Sequence, residues 1–153
     1  MTKRSPPKRA TVSSWFSRVI RERDEYRCQV CGRSFRGLKG LSASHHVPQG
    51  GRGALLALAW DLDNATAKCD VPGGYPRGCH AWMDAHPLHH AEWIRDHIGE
   101  ERYQALKVRS VAPPKMTPEL KMNIYEHLKS ELKRMEALRR DGVTGTLTME
   151  ANW

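Results

Sequence analysis

Four cysteines in two separated pairs, Cys28 with Cys31 and Cys69 with Cys79, constrain this chain more than any other feature. Two residues between thiolates let both reach one metal ion, and a second pair from a distant segment completes a tetrahedron of soft ligands. Such a clip holds together a loop that has little core of its own. Gly32, directly after the first pair, permits the turn that must follow. The second pair is opened by nine intervening residues, a departure from compact knuckle spacing. A redox dithiol would need a thioredoxin-like βαβ setting, which the flanking sequence lacks. A structural Zn²⁺ bound by Cys28, Cys31, Cys69 and Cys79 is therefore expected.

A chain of 153 residues suffices for one modest domain with appended helices, not for two ordinary cores. Its 25 Lys+Arg against 17 Asp+Glu leave a formal charge of +8, which favours a polyanionic partner through phosphate neutralisation. The longest apolar run, 54–60, falls far short of the about 20 residues that span a bilayer. The basic N-terminus is not followed by a hydrophobic region, so no secretory signal is visible. The expectation is a cytoplasmic protein without a membrane partner, in a compartment where cysteines bind metal rather than pair.

Along the chain, residues 1–10 carry Lys3, Arg4, Lys8 and Arg9 around two prolines, the composition of a flexible basic arm. Val12, Trp15, Phe16, Val19 and Ile20 then recur at helical spacing behind Thr11 or Ser13 as N-cap. Residues 33–43 suggest a loop leading into a short strand that ends near Ser44, and 60–67 suggests a turn. Helices are expected from Cys79 to about Asp84, from Pro87 to Ile98 with Gly99 as its stop, and over 100–108. Residues 109–116 form the linker. Thr117-Pro118-Glu119 starts a long helix over 117–141, with the stripe Leu120, Ile124, Leu128, Leu132, Met135 and Leu138. That stripe offers a route to self-association, and the tail 142–153 shows no pattern.

Between the cysteine pairs lie Ser44-His45-His46-Val47-Pro48, a Gly-rich stretch, Asn64 and then Cys79-His80. Adjacent histidines at a strand end point in opposite directions, so one can bind metal while its neighbour takes a proton. His80 and Asp84 are four apart and share one face of a helix, as chelation requires, and a carboxylate suits a harder divalent ion.

Residues 28–86 resemble an HNH endonuclease of the zinc-ribbon-bearing ββα-metal type (His-Me finger). The matching pattern is His45-His46-Val47-Pro48, Gly50-Gly51, Asn64 five residues before Cys69, and Cys79-His80. The resemblance implies an α+β fold: a small ββα-metal core with a four-Cys zinc site, spanning 11–108 and flanked by N- and C-terminal helices. It further implies hydrolysis of DNA to 5′-phosphate and 3′-hydroxyl ends, using a catalytic divalent cation (Mg²⁺, Mn²⁺, Ni²⁺ or Zn²⁺). Carried over by position, the resemblance implies His45 and His80 as metal ligands, His46 as the general base, and Asn64 as a residue that braces the loop and orients His46 or, in some relatives, binds the metal. Where the family often has a third histidine ligand this chain has Asp84, with His86 as the alternative.

A second similarity, to the phage NinG (Rap) recombination endonucleases, covers more of the chain. It rests on Ile20-Arg21-Glu22-Arg23-Asp24, Ile98-Gly99-Glu100-Glu101 and the 117–138 helix. It implies a phage-encoded enzyme of the host cytoplasm acting on branched DNA. Arg52, Lys121, Lys129 and Lys133 would then contact the DNA backbone. The rival expectation is a non-catalytic zinc module that binds DNA, with the histidines as solvated neighbours of the metal. His89, His90, His97 and His127 read as surface or helix-face residues.

Overall fold

In a computed structural model, residues 4–37, 39–47 and 58–149 are described. Helix α1, Arg9–Arg23, follows Lys8, whose carbonyl accepts from Thr11 N at 3.1 Å and Val12 N at 3.2 Å. The helix thus starts inside the expected basic arm, and Thr11 and Ser13 lie within it rather than capping it. Ser13 instead accepts a hydrogen bond from Trp60 Nε1 at 3.1 Å. Val12, Phe16, Val19 and Ile20 are buried, the one-sided spacing that a packed helix requires.

Their counterpart is the long C-terminal helix, α5, Pro118–Arg140, which buries Ile124, Leu128, Leu132 and Met135. Both stripes join Trp60, Leu62 and Ala65 in one apolar cluster. The α5 stripe is therefore used within the chain, so self-association through it would have to displace α1. Thr117 caps α5, its Oγ1 accepting from Leu120 N at 3.0 Å. Thr117→Ala should cost about 1 kcal/mol. A thermal melt should then shift down by about 2–4 °C.

Strand β1, Leu41–His45, pairs antiparallel with β2, Ala65–Cys69, in a register running from Leu41↔Cys69 to His45↔Ala65. The expected turn over 60–67 is two 3₁₀ turns, Leu58–Trp60 and Leu62–Asn64, that lead straight into β2. All five β2 residues are buried, so both faces are covered and the alternation that betrays a half-exposed strand is missing. The end of α1 anchors β2. Arg23 donates to the Leu62 and Ala65 carbonyls at 2.8 Å each, and Asp24 accepts from Ala67 N at 2.8 Å.

Three helices follow: α2 at Gly78–Ala85, α3 at Pro87–Ile98 and α4 at Glu100–Val111. The last runs three residues into the expected linker, held by Arg109 on Asp61 at 2.5 Å and on Asp63 at 3.3 Å. The expected patternless tail also packs back. Leu147 is buried with its N–H on the Arg23 carbonyl at 2.9 Å, and Arg134 donates to Thr148 O at 2.9 Å. Among the described residues no helix is long and apolar enough to cross a membrane.

Candidate functional site

The four cysteines converge. Their sulfurs lie within 4.8 Å of one another, with Cys31 Sγ and Cys69 Sγ 4.0 Å apart. Tetrahedral zinc with bonds of about 2.3 Å needs sulfur separations of about 3.8 Å, so the donor set suits a structural metal such as zinc. Local backbone explains how distant cysteines meet. Cys28 N donates to Arg33 O at 2.9 Å and Gly32 N to Cys28 O at 2.9 Å, closing the first knuckle. Gly78, at φ +89°, starts α2 against the end of β2, where a Cβ would lie 2.6 Å from the Cys69 carbonyl. Only glycine lets α2 approach so closely, and Cys79 N then donates to Cys69 Sγ at 3.4 Å. The wide second pair is thus closed by a helix start rather than by a tight turn. Burial pushes the Cys69 and Cys79 thiols up, so ionising both without a cation is unfavourable.

Beside this cluster lies a cavity of about 670 Å³ whose lining includes His45, His46, His80, Asp84 and His90. On α2, His80 Nε2 is 3.4 Å from Asp84 Oδ2, a spacing that two ligands of one cation adopt. His86 is turned elsewhere: its ring stacks on Trp82 at 4.2 Å and Nδ1–H donates to the Trp82 carbonyl at 2.7 Å. Of the two alternatives for a third ligand, Asp84 is the one beside His80.

His45 is held from the other side. Its Nε2–H donates to Ala59 O at 2.8 Å and its ring stacks on Phe16 at 5.7 Å. That tautomer leaves the lone pair on Nδ1. Among the described residues only the cysteines bring three or more potential ligand atoms within 4.8 Å, so His45 does not close on His80 and Asp84.

Asn64 fixes the backbone at the histidine pair. Its Oδ1 accepts from Val47 N at 2.7 Å, and its Nδ2 donates to Leu58 O at 2.9 Å and Val47 O at 3.3 Å. His46 N donates to the Asn64 carbonyl at 2.9 Å. With its amide fully occupied by backbone, Asn64 acts on the placement of His46 and is not positioned as a ligand.

His46 itself is the anomaly of the site. Its Nδ1 is 3.2 Å from His90 Nε2 and 3.4 Å from Lys68 Nζ, while its buried Nε2 has no hydrogen-bond partner among the described residues. Burial above all, reinforced by Lys68 and His90, pulls the His46 pKa well below its ordinary value. His90 is brought down to about 4, again mainly by burial, with Lys68 and His80 adding to the effect. Lys68 is fully buried in β2, donating to Ser44 Oγ at 3.2 Å and lying 5.0 Å from the Trp93 ring centroid. Burial lowers its pKa from 10.5 to about 7, against the opposing pull of Asp84.

His90 is thus a buried member of the site, contrary to the surface or helix-face expectation. Lys68 and Trp93 were likewise not anticipated. The available signal for Lys68 was a lone lysine between Ala67 and Cys69 in an otherwise uncharged strand. On α5, Lys129 sits 3.7 Å from Glu126 and Lys133 is exposed, while Lys121 is half-buried. Arg52, Pro48, Gly50 and Gly51 lie outside the described residues.

No protein-family model matches this chain, and no curated protein or solved structure shows significant similarity to it.

Proposed function

We propose that this chain is a metal-dependent DNA endonuclease of the HNH type, its ββα-metal core formed by β1, β2 and α2. The observation that carries the reading is the meeting of His45 and His46 from the end of β1 with His80 and Asp84 from α2 on one cavity. His46 Nε2, buried and without a hydrogen-bond partner among the described residues, is a second support, since such a nitrogen in a residue that lines the cavity is a place for a reacting water or phosphate oxygen. In the tautomer whose Nδ1–H donates to His90 Nε2, the lone pair lies on Nε2, and His46 takes the proton from the attacking water there. Asn64 holds His46 in register for that transfer. A divalent cation held by His80 and Asp84, with His45 at the cavity wall, would supply charge stabilisation at the phosphate and the departing 3′ oxygen. Basic residues including Lys129 and Lys133 would neutralise backbone phosphates without reading sequence.

Plasmid nicking with Mg²⁺, Mn²⁺ or Ni²⁺ tests this reading. His46→Ala should slow nicking about 10²–10⁴-fold, the usual worth of a general base. Equal nicking by both proteins would remove His46 from the mechanism. Competition among linear, nicked, flapped and four-way-junction DNA would then identify the substrate, a junction preference marking a recombination nuclease.

A second reading, a zinc module that binds DNA without cutting it, is favoured by one contact. When Lys68 Nζ donates to Nδ1, the His46 proton sits on Nε2 and neither ring nitrogen keeps a lone pair for the attacking water. That protein would bind one zinc and show no second, weaker metal site sensitive to His80→Ala.

A further inference from the structure

Asp70, the first residue beyond β2, has a carboxylate that the proposed mechanism leaves without a role. Its Oδ1 accepts from His80 Nδ1 at 2.8 Å, and its Oδ2 accepts from the Ser42 hydroxyl. Its own backbone N–H donates to Gly40 O at 2.9 Å, and its carboxylate is held between β1 and α2. A carboxylate only accepts, and Nδ1 of His80 must therefore carry the ring proton. The lone pair then lies on Nε2, the atom 3.4 Å from Asp84 Oδ2.

The pair is also locked to the tetracysteine cluster. Asp70 directly follows Cys69 and His80 directly follows Cys79, and those two cysteines are joined by the Cys79 N to Cys69 Sγ contact of 3.4 Å. Gly78 is what lets the two segments come this close, since a Cβ there would lie 2.6 Å from the Cys69 carbonyl.

We propose that Asp70 is a positioning residue that fixes the tautomer and orientation of His80 for a divalent cation shared with Asp84. Through it, the cysteine cluster sets the geometry of that second cation site. The inference rests on the reading of His80 and Asp84 as ligands. A ligating histidine generally donates its other N–H to an acceptor, and removing that acceptor typically weakens metal binding 10–100-fold. The second pair of cysteines, wide for a knuckle, then has a use: the opened loop places Asp70 across from His80.

The test uses the full zinc-loaded chain and Mn²⁺ as the probe, followed by electron paramagnetic resonance of the free ion. Asp70→Ala should weaken Mn²⁺ binding about 10–100-fold with zinc content unchanged. Asp70→Asn, whose amide oxygen still accepts, should recover part of the loss. In ¹⁵N spectra of the His80 ring without Mn²⁺, wild type should show the Nδ1–H form and Asp70→Ala a mixture of both tautomers. Mn²⁺ binding within twofold of wild type in Asp70→Ala, with His80→Ala abolishing it, would overturn the proposal and leave the nuclease reading standing. Conversely, a wild type that binds Mn²⁺ through His80 in an Asp70-dependent way and nicks no DNA supports the positioning role and discards the nuclease.

Discussion

Loss of metal from the cysteine cluster, by chelation or by Cys28→Ser, is expected to unfold the segment around β1, β2 and α2 while α1 and α5 stay packed. The reason is the composition of the second apolar cluster. Its buried members are Cys28, Leu41, Ala67, Cys69 and Cys79, so three of the five are cysteines and only one is a large aliphatic residue. Tyr26, Val30, Phe35, Val71 and Tyr75 only border it. Burying so little apolar surface does not offset the chain entropy of ordering the two loops. A metal held by the four cysteines would replace the missing core, since structural zinc contributes on the order of 10–16 kcal/mol in small zinc-dependent folds. The α1–α5 cluster, by contrast, is built from Val12, Phe16, Ile20, Ile124, Leu128 and their neighbours, without any cysteine. Hydrogen exchange should show protection lost over 28–47 and 65–85 and kept in α1 and α5, with one zinc per chain in the wild type. Unchanged protection in Cys28→Ser would make the cysteines ordinary buried thiols.

What could be read from the sequence divides along the same line. The stripes on α1 and α5, the Thr117 cap and the Gly99 stop are local signals, and the structure follows them closely. The cysteine cluster was legible because metal geometry leaves few alternatives for paired thiols. Strand β2 was not legible: Ala65-Thr66-Ala67-Lys68-Cys69 is short and has a single β-branched residue, and its pairing is imposed by Arg23, Asp24 and β1. His90 and Asp70 were invisible for a related reason. Each reaches its histidine only across the fold, His90 on His46 and Asp70 on His80, so no spacing along the chain announces either contact. His45, which motif order places among the ligands, lines the same cavity while its Nε2 is bonded to Ala59 O and its ring stacks on Phe16, contacts that motif order does not announce.

Lys68→Met should raise stability at neutral and mildly acidic pH, by an amount that shrinks as pH rises. In the folded chain Lys68 titrates near 7, against 10.5 in its ordinary environment. Between those values the unfolded chain holds a proton that the folded chain has released, so stability increases with pH across that window. Below about 7 both states are protonated, and the folded state carries the full penalty of an ammonium with no exposed surface. The pKa difference corresponds to about 5 kcal/mol between the two protonation states, an upper limit on what removing the charge can return. Methionine has similar length and no charge, and it keeps the packing against Trp93. It cannot donate to Ser44 Oγ, which offsets about 1 kcal/mol of the gain. Urea unfolding of both proteins at pH 6, 8 and 10 should therefore give a difference of a few kcal/mol at pH 6 that falls toward zero by pH 10. A constant difference would mean that the Lys68 amine is hydrated in solution. The predicted trend would instead identify a charge that the fold carries at a cost to its stability, 3.4 Å from the histidine at the centre of the proposed site.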